Sequence, residues 1–230
     1  AGGFTKHPDW KGSISDVGGP TANMWGARCV SDPSRCRRPD CLFPRLCPHF
    51  KTEDAALADL LHRVAGLQGV NHVRVASGIR YDLGSPDNPY LRSLVREFVG
   101  GQIKVAPEHL CDPVLRLMRK PARASFEAFL QFFEEESRLA GKEQYVVPYL
   151  ISAFPGCTDS DMRELAQWLQ QRNWRPRQVQ CFIPTPGTVA AAMFYAGIDT
   201  EEKPISVART DQERLRQHRI LAPPSRESNT

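Results

Sequence analysis

Four cysteines, Cys29, Cys36, Cys41 and Cys47, lie within nineteen residues in the pattern C-x6-C-x4-C-x5-C. Four thiolates in one loop can ligate Zn2+ tetrahedrally or hold an iron–sulfur cluster. The spacing matches none of the C-x2-C zinc ribbons, so a structural loop with free or buried cysteines stands beside the metal reading. Arg28, Arg35, Arg37, Arg38 and Arg45 are interspersed, and their charge would favour thiolates. Just upstream, Gly18-Gly19-Pro20 offers bare backbone that can approach a charged small molecule closely, or simply turn. Neither G-x-G-x-x-G nor G-x-x-x-x-G-K-[ST] occurs, which weakens dinucleotide and P-loop readings. Lys104 and Glu108 read by themselves as a buried ion pair or as rim charges, since a buried charge needs a partner. His109 is a proton carrier or a structural hydrogen-bonder, and the isolated Cys111, Cys157 and Cys181 read as small packing residues.

These residues need elements to position them. Apolar, β-branched runs at 13–17, 73–76, 103–106, 145–152 and 178–183 are nearly continuous rather than alternating, which predicts strands buried on both faces of a parallel sheet. Helical patterns lie between them. Leu57, Leu60, Leu61, Val64 and Leu67 form a stripe ending at Gly69, and Asn88-Pro89 caps a helix over 90–99 that Gly100-Gly101 ends. Asp112-Pro113 repeats that device, Ser125 opens a further helix, and Thr158 with Asp161 makes a capping-box-like start. The order β, long loop, α, β, α, β, α, β, α, β, then helix predicts right-handed crossovers in a doubly wound sheet or part of a β/α barrel. Both architectures bind ligands at the carboxyl ends of their strands. The segments to inspect are therefore 18–24, 77–83, 107–109, 153–158 and 184–188, which are rich in Gly, Pro and polar groups.

The bulk numbers fit an ordinary globular protein: 230 residues, 41% hydrophobic, 24% charged, net charge +4. That length supports one large domain or a domain with an appendage. No apolar run reaches the ~18 residues a membrane span needs. The slight basic excess permits an anionic partner such as nucleic acid without requiring one. Seven cysteines and no secretory leader point to a reducing, cytoplasmic setting. The tail from about residue 222, "APPSRESNT", has the composition of a disordered segment.

The phrases "GSISDVGGPTANMWGARC", "HVRVASGIRYDL", "GQIKVAPEHLCDPVLRLMRKP", "AGKEQYVVPYLISAFPGCTDSDMRELAQWL" and "RPRQVQCFIPTPGTVAAAMFYAG" closely resemble the YgiQ family of radical S-adenosylmethionine (SAM) proteins. The likeness runs from about Gly3 to about Gly197, and the segment from Leu110 to Met162 is more distantly similar to MiaB-like radical SAM enzymes. The resemblance implies a partial β/α barrel, a 4Fe-4S cluster on a C-x3-C-x2-C loop after the first strand, and reductive cleavage of SAM to a 5′-deoxyadenosyl radical that attacks an unknown substrate. An electron donor such as flavodoxin or ferredoxin is implied as well. By the same resemblance Gly18, Gly19 and Pro20 stand at the SAM amino-group contact, where Pro20 replaces the usual Glu. Ser77, Gly78, Lys104 and Glu108 fall where the SAM carboxylate and ribose are met, and Pro155 and Gly156 on the adenine side.

One departure is decisive. No C-x3-C-x2-C occurs in the sequence, and the run at 13–17 corresponds to the second strand of such a barrel. The expectation is a fragment: residues 1–187 form a radical SAM barrel lacking its first strand, with a Cys-rich loop at 24–50, and 188–230 begin a C-terminal extension. By itself the chain is expected not to make the radical. The four-cysteine loop is then an auxiliary iron–sulfur or zinc site. The alternatives are a metal-stapled α/β binding module without catalysis and an RNA-modification component, which would bind RNA with strong salt dependence.

Overall fold

Residues 3–19, 21–32, 34–83, 87–176 and 179–222 are described by the structure, a computed structural model. The strands are β1 (Ser13–Ile14), β2 (Arg28–Cys29), β3 (Phe50–Lys51), β4 (His72–Val73), β5 (Gln102–Glu108), β6 (Tyr145–Ser152) and β7 (Val179–Cys181). The helices are α1 (Asp54–Ala65), α2 (Pro89–Ser93), α3 (Asp112–Leu117), α4 (Arg123–Leu139), α5 (Asp159–Gln171), α6 (Val189–Ala196) and α7 (Asp211–Leu221). The result is a mixed α/β fold with parallel strands. Among the described residues the strands form three small sheets, β1-β4, β2-β3 and β5-β6-β7, and no closed barrel.

Strand β6 spans the residues expected, and Thr158 caps α5 with the full reciprocal box. Asn88 caps α2 by accepting from the Leu91 amide, with Pro89 in the first turn. Other boundaries moved. The run at 13–17 pairs as a strand only over Ser13–Ile14, in parallel with His72–Val73. Beyond that ladder the amides of Ala76 and Ser77 are taken by the side chain of Asp16 instead of a neighbouring backbone. The stripe from Leu57 stops at Ala65, because the helix ends through Gly66 with φ −80, before the expected stop at Gly69. The expected helix over 90–99 is α2 followed by a π-helical turn, Leu94–Phe98, in which the Val99 amide reaches back to the Leu94 carbonyl. Cys111, not Asp112, precedes α3 as its cap, and α4 starts two residues before Ser125. The last strand is trimmed to Val179–Cys181, with Gln178 outside the described residues. The long loop contains a strand pair that the hydrophobic pattern did not reveal: β2 and β3 are antiparallel, with Cys29 opposite Phe50. Two residues per strand are too few to show a period.

The chain separates into two compact units, Ala1–Ala106 with Ala124–Val147, and Pro107–Arg123 with Pro148–Thr230. The division falls within β5 and β6. In the first unit Leu61, Tyr90, Leu94, Val95, Ile103, Val105 and Phe126 are fully buried. Tyr81 closes that core by tilting against Phe126 and Phe129, at ring separations of 5.3 and 6.0 Å. In the second unit α5 turns Met162, Leu165, Trp168 and Leu169 inward. Each such side chain contributes about 1.5–3 kcal/mol of transfer free energy. A capping box like that of α7, where Thr210 and Glu213 bond reciprocally, fixes where the helix begins.

Candidate ligand site and cysteine loop

Because β1 and β4 run parallel, the loops that leave them depart at the same end. The first unit sews these loops together. The Val17 amide donates to the Arg74 carbonyl at 2.8 Å, and the Ala22 amide to the Gly78 carbonyl at 3.0 Å. Asp16 Oδ1 accepts from the Ala76 amide at 2.9 Å and the Ser77 amide at 3.2 Å, while the Ser77 hydroxyl donates to Asp16 Oδ2. Asn23, buried, clasps Arg80 reciprocally: Nδ2 donates to the carbonyl at 2.7 Å and Oδ1 accepts from the amide at 2.8 Å. Partial burial works to raise the Asp16 pKa, but the Ser77 hydroxyl, the two amides and the more distant Lys104 charge together hold it below the ordinary carboxylate value.

Gly18 sits inside this clasp. A Cβ there would lie 2.7 Å from Ser77 Cβ and 2.9 Å from Asp16 Oδ1, whereas one at Gly19 would meet nothing within 4 Å. Gly18 is therefore glycine for want of space, whereas a side chain at Gly19 would point into open space. One at Gly78 would approach the Lys104 carbonyl at 3.8 Å. Of the residues singled out from the sequence, Gly18, Ser77, Gly78 and Lys104 thus gather around one loop junction. Pro20 lies outside the described residues.

Glu108, Pro155 and Gly156 belong to the second unit. Glu108 holds a left-handed backbone, φ 66, and its carboxylate pairs with Lys120 at 2.9 Å. Pro155 is buried, and the Gly156 amide is already spent on the Ser206 carbonyl at 2.7 Å. Gly156 has φ +89, and a Cβ there would run into Leu117 Cδ1 at 2.1 Å, so both conformation and space demand glycine. The preceding Ala153 also has a left-handed backbone, φ 58. Buried Gln217 from α7 holds this turn, accepting from the Ala153 amide at 3.1 Å and donating to the Cys157 carbonyl at 3.0 Å.

His109 is buried, with Nδ1 accepting from the Cys111 amide at 3.0 Å and Nε2 3.6 Å from Cys157 Sγ. Burial lowers its pKa to about 4, against a smaller opposing pull from Asp161. A neutral ring whose Nδ1 accepts carries its proton on Nε2, so it can donate toward Cys157 Sγ and cannot deprotonate it. Burial also pushes both the Cys157 and Cys111 thiols up, and Cys111 Sγ donates to the Asp161 carbonyl at 3.3 Å. This cluster is a hydrogen-bonded piece of interior, without an activated nucleophile.

The β2-β3 pair closes the cysteine loop. Cys47 is buried and its amide donates to the Cys41 carbonyl at 2.7 Å. The expected thiolate character is reversed at Cys41. Burial foremost, then the neighbouring Cys47, Cys29 and Cys36, raise its pKa, and Arg38 pulls the other way with less effect. Arg28 pairs with Glu53 and Arg35 with Asp32, while Arg38 also donates to the Arg45 carbonyl. Among the described residues no group of three or more His, Cys, Asp or Glu side chains is arranged to hold a metal ion. No helix among them is long and apolar enough to cross a membrane.

No family model matches the chain. A UPF0313 protein of Geobacter sulfurreducens is 47% identical over 215 residues, covering 92% of this chain and 36% of that protein. A UPF0313 protein of Pseudomonas syringae pv. tomato is 45% identical over 194 residues, 84% of this chain and 25% of its own length. One from Methanosarcina mazei is 42% identical over 221 residues, 95% of this chain and 35% of its own. This chain is similar to the UPF0313 proteins. UPF0313 is the YgiQ family, and the name states no activity. The chain spans between 25% and 36% of the length of these relatives.

Sequence reasoning missed Asp16, Asn23, Ser206 and Gln217. An acidic residue interrupting an apolar run two positions before a glycine pair was the only local sign of the first. The others act across sequence distances of 57, 50 and more residues, which no short pattern encodes.

Proposed function

We propose that this chain supplies part of the SAM-binding wall of a radical SAM protein, with its parallel strands forming a segment of a β/α barrel. The observation that carries the reading is the junction of Gly18-Gly19 with Ser77-Gly78, at the common end of parallel strands β1 and β4, beside Lys104. Bare backbone at Gly19 offers a carbonyl and an amide to a zwitterionic amino-acid end, the Ser77 hydroxyl adds a polar contact, and the Lys104 ammonium suits a carboxylate. These residues fit SAM. They do not fit a 4Fe-4S cluster: the sequence has no C-x3-C-x2-C, and no three-ligand set stands among the described residues. No step of radical chemistry is therefore assigned to this chain. The proposal leaves the cluster ligands, the reductant and the substrate to the longer proteins of which such a chain spans about a third.

Calorimetric titration of the chain with S-adenosylhomocysteine, a SAM analogue that needs no reductant, tests the reading. One-to-one saturable binding, weakened about tenfold by Lys104→Ala as a charge-assisted contact is lost, is the expected outcome. Heats that stay unsaturated at millimolar ligand would overturn it. The chain by itself is also expected to give no reducible 4Fe-4S spectrum and no SAM cleavage, and recovering both would refute the assignment of the cluster to other residues.

A second reading concerns the cysteine loop, which we propose as an auxiliary iron or zinc site. The observation behind it is proximity: Cys47, Cys29 and Cys36 all lie near enough to act on Cys41, within the loop that the β2-β3 pair closes. Metal analysis of anaerobically purified chain, with Cys36→Ser and Cys41→Ser for comparison, decides it: stoichiometric Fe or Zn lost in both variants supports the site, and metal-free wild type removes it.

A further inference from the structure

The clasp holds its loops through one side chain more than any other. Asp16 contributes both carboxylate oxygens, one to two successive backbone amides and the other to a hydroxyl, all on the segment Ala76–Ser77. The partners are about sixty residues away in sequence, with |i−j| of 60 for Ala76 and 61 for Ser77, so no local turn can substitute for them. A side chain with one oxygen cannot serve all three donors, whereas the two-oxygen carboxylate accepts from all three at once. Gly18, two residues on, has no room to move toward Ser77, since even a Cβ would be 2.8 Å from Ser77 Oγ. The distance between the Gly18-Gly19 backbone and the Ser77 hydroxyl is thus fixed by Asp16 from one side and by contact from the other. Asn23 anchors the far end of the same loop on Arg80, so the stretch between the two is held at both ends.

We propose that Asp16 is a positioning residue for the ligand carried by this junction: its carboxylate sets the spacing at which the Gly19 backbone and the Ser77–Gly78 turn meet the polar end of a zwitterionic amino-acid ligand. Both of its oxygens are already engaged by the Ala76 and Ser77 amides and the Ser77 hydroxyl, so the role assigned to it is to hold the loops. The inference rests on the SAM reading above, and it adds a residue that the resemblance does not assign. Displacing the carboxylate lets two loops slide by a fraction of an ångström to an ångström, which is enough to weaken a preorganised site by an order of magnitude or more.

The test uses S-adenosylhomocysteine as the probe with wild type, Asp16→Ala, Asp16→Asn and Ser77→Ala, titrated well below each variant's unfolding temperature. Urea midpoints are measured in parallel. Asp16→Ala is expected to weaken binding about tenfold or more. Asp16→Asn, whose Oδ1 still accepts the two amides while Nδ2 can donate to the Ser77 hydroxyl, is expected to recover most of that loss. Asp16→Ala added to Ser77→Ala is expected to cost less than it does alone, since the two act through one clasp. A merely structural role would lower the urea midpoint and leave the dissociation constant of the folded protein unchanged, and that result overturns the inference. Should Asp16→Ala fail to fold, Asp16→Ser decides in its place, because its single short hydroxyl cannot serve both amides and the Ser77 hydroxyl, and unaltered affinity in that folded variant also refutes the inference. Failure of wild type to bind is the distinct outcome that removes the SAM reading, and this inference with it.

Discussion

Gly18 and Gly19 are chemically identical neighbours that the structure makes unequal, and substituting alanine at each separates the reasoning from coincidence. Neither has a left-handed φ, so backbone conformation allows alanine at both. At Gly18 the new methyl would sit 2.7 Å from Ser77 Cβ, 2.8 Å from Ser77 Oγ and 2.9 Å from Asp16 Oδ1. Comfortable carbon contacts are about 3.5–4.0 Å, so the overlap is roughly 1 Å. The hydroxyl could rotate, at the expense of its bond to Asp16, but Ser77 Cβ can yield only if the loop moves. Overpacking of this kind costs about 1–3 kcal/mol, from which the reduced freedom of the unfolded chain returns about 0.4–1 kcal/mol. Gly18→Ala is therefore expected to destabilise by up to about 2.6 kcal/mol, and in any case by about 1–3 kcal/mol relative to a site with room for the methyl. Gly19→Ala, with nothing within 4 Å, receives only the second effect and should be neutral or stabilising by up to about 1 kcal/mol. Urea unfolding followed by far-ultraviolet circular dichroism resolves the difference, since an m-value of about 1–3 kcal/mol/M turns it into a midpoint gap of several tenths of a molar or more. Placing Gly18→Ala on a Ser77→Gly background removes the obstructing Cβ and should shrink the added cost. Equal midpoints for the two single variants would refute the clasp as described.

Gly156→Ala must adopt φ near +89 and displace Leu117 Cδ1 from 2.1 Å, so a loss of about 2 kcal/mol or more is expected by calorimetric melting, partly relieved by Leu117→Ala. Gln217→Ala leaves the buried Ala153 amide and Cys157 carbonyl without their partner, which should cost about 1–3 kcal/mol for each group that water does not reach, read from urea midpoints. His109, with its folded pKa lowered to about 4 from an unfolded value near 6.5, favours the folded state fully above that unfolded value, and its contribution fades as pH falls toward 4. The shift is worth about 3 kcal/mol at its limit, and His109→Asn should flatten the slope of stability between those pH values. His62 has the opposite sign: the Glu97 carboxylate at 3.0 Å, above all, raises its pKa against a smaller desolvation effect. Its contribution is complete below the unfolded pKa of about 6.5 and is lost as pH rises through the folded value, a dependence that Glu97→Gln should abolish in pH-resolved melting curves.

The sequence by itself determined whatever is encoded within one turn of chain. Thr158 and Asp161 are three residues apart, and their reciprocal bonds form as soon as the first turn of α5 does. The same holds for Asn88 before Pro89, and for the β-branched and aromatic run of β6, whose eight residues match a strand's length. Likeness to the YgiQ family was legible too, because it rests on whole phrases rather than on spacing. Tertiary structure decided the rest. An aspartate at the end of a strand run reads as strand until its carboxylate is seen on amides sixty and sixty-one residues away. Two adjacent glycines read alike until one is found pressed against a serine and the other facing open space. Arginines scattered among cysteines read as thiolate-stabilising, but Cys41 responds first to burial and then to the other thiols. In each case the deciding energy is short-ranged in space and long-ranged in sequence, so only folding brings its terms together.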